Sequence, residues 1–255
     1  EEGNNAYCMI HHPSPKVLGI IPARGGLKSI PRKNVKSFCG KPLIAWKIEA
    51  ATQSGIFDRI IVSTDDAEIA ETARHYGAEI PFMRPAELAQ DSTPTLPVIA
   101  HAVRFLEENQ NYRVSAVMLL EPTSPGVRPF HIRGAMEVFL KTGSDSVVSV
   151  VETPAMYHPS WAFSLGNDLR TTLFLGGHVR TRIKRRQDLP KVYAPNGGIY
   201  LFRPALLFNG ENASLYGDDV RGYVMDERYS VDIDTPEDWK RGELAMRELV
   251  VRETT

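Results

Sequence analysis

Short, continuously apolar runs alternate with segments of helical period along the first 150 residues, and this constrains the fold more than any other feature. Val17–Ile21, Arg59–Ser63, Val114–Leu120 and Ser146–Val151 show no polar alternation, as expected of strands covered on both faces. Between them lie helical segments. Pro42–Ser54 carries Leu43, Ile44, Trp46, Ile48 and Ala51. The segment DDAEIAETARHYG has acids in its first turn, Thr64 or Asp65 as candidate caps, and Gly77 after its end. Pro94–Glu108 gathers Val98, Ile99, Ala102, Val103 and Leu106 on one face, and Pro129–Leu140 starts on proline. Strand and helix in alternation predict a three-layer α/β/α, Rossmann-like domain with a mainly parallel sheet.

The pattern then breaks. Residues 152–195 are irregular and rich in Pro, Gly, aromatics and arginine, which predicts an insertion. Ile199–Phe202 and Ser230–Ile233 resume as strand candidates. Thr235 precedes a final helix, with Pro236 at its first position and Asp238 three residues after the cap. Residues 1–15 read as a disordered tail and 16–255 as one domain.

The chain has 255 residues, long enough to bury a core without disulfides or a structural metal. Its 30 basic and 31 acidic side chains nearly cancel, which argues against a dedicated nucleic-acid binder. No apolar run is long enough to span a membrane, and no signal peptide is visible. Cys8 and Cys39 form neither a metal pattern nor a disulfide framework, so a cytoplasmic setting is the expectation.

The loop after the first strand carries the chemistry. Gly25 and Gly26 allow close backbone approach to a ligand, and Arg24, Lys28, Arg32, Lys33, Lys36 and Lys41 follow without an intervening acid. Positive charge and flexible backbone at the carboxyl end of a strand suit a polyphosphate. The spacing matches neither a P-loop nor a dinucleotide fingerprint. Near the other end, Asp232 and Asp234 are two apart on a candidate strand, so both carboxylates face one way. Converging carboxylates repel, and a divalent cation such as Mg2+ relieves the repulsion.

The segment IPARGGLKSIPRKN, with STD at 63–65, RPAELAQDSTPT at 84–95, LLEPTSP at 119–125, APNGGIY at 194–200 and SVDIDTPED at 230–238, resembles the acylneuraminate cytidylyltransferases. The legionaminic and pseudaminic acid enzymes belong to this branch. The resemblance implies a nucleotidyltransferase fold and transfer of CMP from CTP to the anomeric hydroxyl of a 2-keto sugar acid, with pyrophosphate released. It implies that Arg24, Lys28 and Lys33 handle the triphosphate, that Asn34, Arg84 and Thr95 lie near the nucleotide, and that Asp232 and Asp234 ligate Mg2+. Arg24, Lys33, Asp232 and Asp234 are the residues it makes catalytic. It places Glu121, Arg186 and Asn196 by the sugar, and makes the insertion a homodimer arm that reaches the neighbouring site.

This chain departs from the family pattern at four places. Leu27 replaces a serine, Glu121 replaces a glutamine, Gly126-Val127 lengthens the turn before Arg128, and Trp161 stands where some relatives carry lysine. The changes fall mostly on the sugar side. They predict an altered acceptor, whether sialic acid, legionaminate, pseudaminate or Kdo; a non-catalytic sugar-nucleotide-binding protein is the alternative from another class. His101, Cys39, Trp46 and Trp239 read as packing residues, and His11-His12 as part of the tail.

Overall fold

A computed structural model describes residues 16–26 and 29–254. The expected tail, Leu27 and Lys28 lie outside the described residues. Six strands form the central sheet: β1 (Val17–Pro22), β2 (Arg59–Ser63), β3 (Ala116–Leu119), β4 (Ser146–Glu152), β5 (Tyr193–Phe202) and β6 (Val220–Val224). Their order across the sheet is β6-β4-β5-β3-β1-β2. β1 is parallel to both β2 and β3, with Leu18 opposite Arg59 and Val117. β6 is parallel to β4. β5 runs antiparallel to both its neighbours and joins the two parallel groups.

Five helices pack on this frame: α1 (Leu43–Ser54), α2 (Ala67–His75), α3 (Thr95–Gln110), α4 (Pro129–Thr142) and α5 (Pro236–Thr254). Alternate residues of β1 feed opposite faces. Val17 and Ile21 join Ile44, Ile48, Val62, Met118 and Ile132 in one cluster. Leu18 and Ile20 join Ile61, Ile99, Leu106, Val117 and Phe202 in the other. A third cluster seats α5 through Trp239 and Met246 on Ile30, Phe38 and Leu43. So the three-layer arrangement stands, and the continuously apolar runs are explained by burial from both sides.

Local expectations are refined in three places. The α2 cap is Asp66, whose Oδ1 accepts from Ile69 N at 3.0 Å, and not Thr64 or Asp65. Asp65 instead accepts from Gly25 N at 3.1 Å and braces the first loop. Among the described residues, 230–233 pair with no strand; the edge strand is β6, which the exposed sequence VRGYV did not announce. Thr235 and Asp238 do form the expected box: Asp238 N donates to Thr235 Oγ1 at 3.2 Å, and Thr235 N donates to Asp238 Oδ2 at 2.9 Å.

Residues 153–192 form single turns and one small hairpin, Phe163–Leu165 with Thr171–Leu173. Trp161 packs inside this segment: its indole N–H donates to Ile183 O at 2.7 Å, and the Arg182 guanidinium lies over its ring at 5.5 Å. Met156, Leu169, Phe174 and Leu175 are exposed there.

Candidate active site

β1, β2 and β3 end at the same edge of the sheet, and the loops that leave them enclose a cleft of about 200 Å³. Its lining includes Arg24, Lys33, Asn34, Arg84, Thr95, Glu121 and Asp234, seven of the residues singled out in the sequence. Pro22, Thr93, Val98, Pro122 and Thr123 complete it, none of them singled out as a site residue in the sequence.

The first loop supplies Arg24, Lys33 and Asn34. Arg24 ion-pairs with Asp91, which stands on the loop before α3. Asn34 Nδ2 donates to Arg24 O at 3.2 Å and fixes the loop backbone, while Asn34 Oδ1 is buried without a partner among the described residues. Lys33 is buried, and its Nζ donates to Ile233 O at 2.7 Å and to Asp234 Oδ1 at 3.2 Å. The other cations of the run have different partners. Arg32 pairs with Asp66 and Glu68, Lys36 lies over the Trp239 ring, and Lys41 lies over the Trp46 ring while pairing with Glu49. Among the described residues the basic run is therefore two cleft residues, Arg24 and Lys33, and three clamps to neighbouring elements.

Arg84 forms the opposite wall. It is buried, Nε donates to Ser63 Oγ at 3.1 Å, and Nη2 reaches Ser63 O. Burial pulls this guanidinium below its usual range. Thr95 opens α3 on the same wall.

Glu121, Pro122, Thr123 and Asp234 build the acidic side, whereas Asp232, expected beside Asp234, lines a neighbouring hollow with Ser230 and Asp238. Ile233 N donates to Thr123 O at 2.9 Å and ties the two segments together. Val231 and Ile233 are buried while Asp232 and Asp234 are exposed, so both carboxylates share the outer side of the segment. The alternation expected of a strand survives, although no ladder forms. Asp232 keeps exposed area, yet its concave surroundings desolvate the carboxyl; this and repulsion from Asp234 raise it above the usual range. Among the described residues, no group of three or more His, Cys, Asp or Glu side chains could hold a metal by itself.

Glu121 is pushed up to about 7, first by burial and then, against the pull of Lys47, by Asp232 and Asp234. Lys47 on α1 is completely buried and drawn down to about 7 by desolvation. The sequence held a signal for it: a lysine at the spacing of Leu43, Ile44 and Ala51, the buried stripe of α1.

Two expected sugar residues lie off the cleft. Asn196 braces the backbone behind it: its Oδ1 accepts from Ser149 Oγ at 2.6 Å and its Nδ2 donates to Ser230 Oγ at 2.9 Å. Arg186 lines a second cavity of about 570 Å³, with His158, Lys191 and Asp226, between the 153–192 segment and the β4/β6 edge. The lengthened turn has a steric reason. A Cβ on Gly126 would stand 2.2 Å from Tyr229 O, so only glycine admits the segment that leads to Asp232. His101 packs edge-on against Phe82, and Trp46 donates to Phe38 O at 2.9 Å, in keeping with packing roles.

Residues 18–242 match the family model described as cytidylyltransferase. The CMP-N,N'-diacetyllegionaminic acid synthase of Legionella pneumophila is 36% identical over 241 residues, which cover 91% of this chain and 96% of that protein. The N-acylneuraminate cytidylyltransferase A of Danio rerio is 37% identical over 228 residues, 89% of this chain and 50% of that one. A solved CMP:2-keto-3-deoxy-manno-octonic acid synthetase complexed with CTP superposes with a TM-score of 0.66 at 17% identity, over 91% of this chain and 99% of its own. That last likeness concerns the fold. With a model match over nearly the whole described length and the basic and acidic walls meeting in one cleft, the chain belongs to the cytidylyltransferase family.

Proposed function

We propose that the chain transfers CMP from CTP to the anomeric hydroxyl of a nonulosonic acid and releases pyrophosphate. One observation carries this reading: Arg24, Lys33 and Arg84 line a single cleft with Glu121 and Asp234 at the carboxyl edge of the sheet. The hydroxyl oxygen attacks the α-phosphorus, the bond from that phosphorus to the bridging oxygen breaks, and the hydroxyl proton passes by way of solvent to the departing pyrophosphate. Such a step depends on alignment and on charge stabilisation more than on covalent help from the protein.

Arg24, with Lys28 beside it in sequence, and Lys33 take the triphosphate. Asn34, Arg84 and Thr95 take the nucleoside end. Phosphate oxygens replace Asp91 on Arg24, exchanging one charge-assisted contact for another. Asp232 and Asp234 fit a magnesium ion: two carboxylates on one side of an extended segment, mutually repelling, with Lys33 as the present counter-charge. The ion, when bound, supplies positive charge to the phosphate oxygens.

Glu121 stands at the acceptor end, and Asn196 keeps the wall behind it rigid. Arg186 is the carboxylate partner offered by the 153–192 segment, in keeping with the role of that segment as a homodimer arm. The exposed Met156, Leu169, Phe174 and Leu175 support a second copy as its cover. No helix among the described residues is long and apolar enough to cross a membrane.

Pyrophosphate release from CTP and magnesium, measured with N-acetylneuraminate, legionaminate, pseudaminate and Kdo in parallel, tests the reading. Release with a nine-carbon acid is the expected result. Release with Kdo alone would move the acceptor class, and CTP binding without turnover on any sugar would overturn the transferase reading.

A further inference from the structure

Glu121 places a carboxylate in the wall of a cleft that, on the reading just given, accepts two anions. Such a group is unfavourable twice, through its own desolvation and through repulsion of the substrates. A cation one layer below answers both costs. Lys47 has 0% exposure, on a stripe of α1 otherwise made of Leu43, Ile44, Ala51 and other small or apolar groups. A lysine in such a stripe is not explained by packing. Its Nζ donates to Gly198 O at 3.4 Å, a carbonyl of the strand segment that Asn196 braces. β5 runs antiparallel to β3 with Leu119 opposite Tyr200, so Gly198 falls level with Glu121, and the bond to its carbonyl anchors the Lys47 ammonium at the height of that carboxyl. No hydrogen bond joins the two side chains among the described residues; the attraction acts through the weakly screened interior.

We propose that Lys47 is a positioning residue that holds the Glu121 carboxylate in the acceptor wall, and that the pair selects a sugar acid presenting a hydroxyl or acylamino N–H donor to it. In its ionised form the Glu121 carboxylate accepts hydrogen bonds only, whereas an amide both donates and accepts. The pair therefore rejects acceptors that offer a lone pair at this position, a repulsive form of selection. The inference rests on the transferase reading and adds to it the chemistry of one acceptor group.

Three variants test it: Lys47→Gln, Glu121→Gln and the double substitution. Denaturation midpoints are compared with pyrophosphate release at varied CTP and varied sugar acid. Lys47→Gln is expected to raise the acceptor KM at least tenfold while the CTP KM stays within twofold. The double variant is expected to recover the lost midpoint and to share the altered acceptor preference of Glu121→Gln. A lower midpoint in Lys47→Gln with unchanged acceptor KM and no recovery in the double variant would make Lys47 a packing residue and overturn the proposal. If Lys47→Gln does not fold, a folded double variant supports the pair and an unfolded one overturns it. If the wild-type chain turns over no sugar, the transferase reading fails by itself, and additive midpoints would then overturn the pair as well.

Discussion

Lys33 directs its charge to two oxygens of one short segment, the Ile233 carbonyl and the Asp234 carboxylate. The contact joins the loop after β1 to the segment before α5, two hundred residues away in sequence. Asp234 thus faces Lys33 and shares a side with Asp232, which makes its charge informative to remove. Asp234→Ala is expected to lower kcat at least about 100-fold, the cost of removing one preorganised charge stabiliser, with far-UV circular dichroism unchanged. Full turnover by that variant would remove Asp234 from the chemistry. Much of this site was legible from residue type and spacing. The arginines and lysine after an apolar strand and the Asp-x-Asp pair are local patterns, and their spatial meeting follows from the parallel sheet. Lys47 carried only the fainter signal of its place on the apolar stripe of α1; a lysine within a helix ordinarily reads as solvated, and the burial of α1 shows that it is not. The clamps made by Arg32, Lys36 and Lys41 were equally hidden, since their partners lie on other elements.

At the scale of the element, α4 begins with an unusual cap. Arg128 N donates to His131 Nδ1 at 3.0 Å, and His131 is buried against Phe130 and Tyr229. The bond needs an unprotonated nitrogen, and burial, with Arg128 and Lys47 nearby, draws the imidazole down to about 4. Its ordinary value is 6.5, so the unfolded chain binds the proton more readily than the folded one. Stability from this residue is complete above pH 6.5 and is lost as the pH falls toward 4. Urea midpoints between pH 7 and pH 4.5 should show a loss on the order of 2 kcal/mol, and His131→Asn should flatten it; an equal loss in the variant would place the acid sensitivity elsewhere. The helix was evident from Pro129 and its apolar period, whereas the role of His131 depended on packing against Tyr229, a residue near the far end of the chain. β6 was missed for a related reason: an edge strand with exposed side chains has no apolar alternation to read.

For the whole molecule, the 153–192 segment leaves large apolar side chains in water, whereas the strands of the central sheet bury theirs. Leu165→Glu with Phe174→Glu is expected to convert a dimer to a monomer in sedimentation at micromolar concentration, with the denaturation midpoint of the α/β domain little changed. A monomeric wild-type chain under those conditions would remove the arm's assembly role. The composition of the segment, aromatic and arginine-rich without period, separated it from the sheet in the sequence; its small hairpin had no comparable signature.

β5 lies between β3 and β4 and is the only strand that touches both. In synthesis it emerges after them, once the intervening segment has been made. Until then β1–β3 and β4 exist with facing edges unpaired, each a row of free amides and carbonyls flanked by apolar side chains. At roughly 5–20 residues per second, the irregular segment keeps those edges open for seconds. Lengthening or shortening it changes the time a nascent chain spends vulnerable to pairing with another, so the same stretch that carries Arg186 also sets the hazard of the chain's own birth.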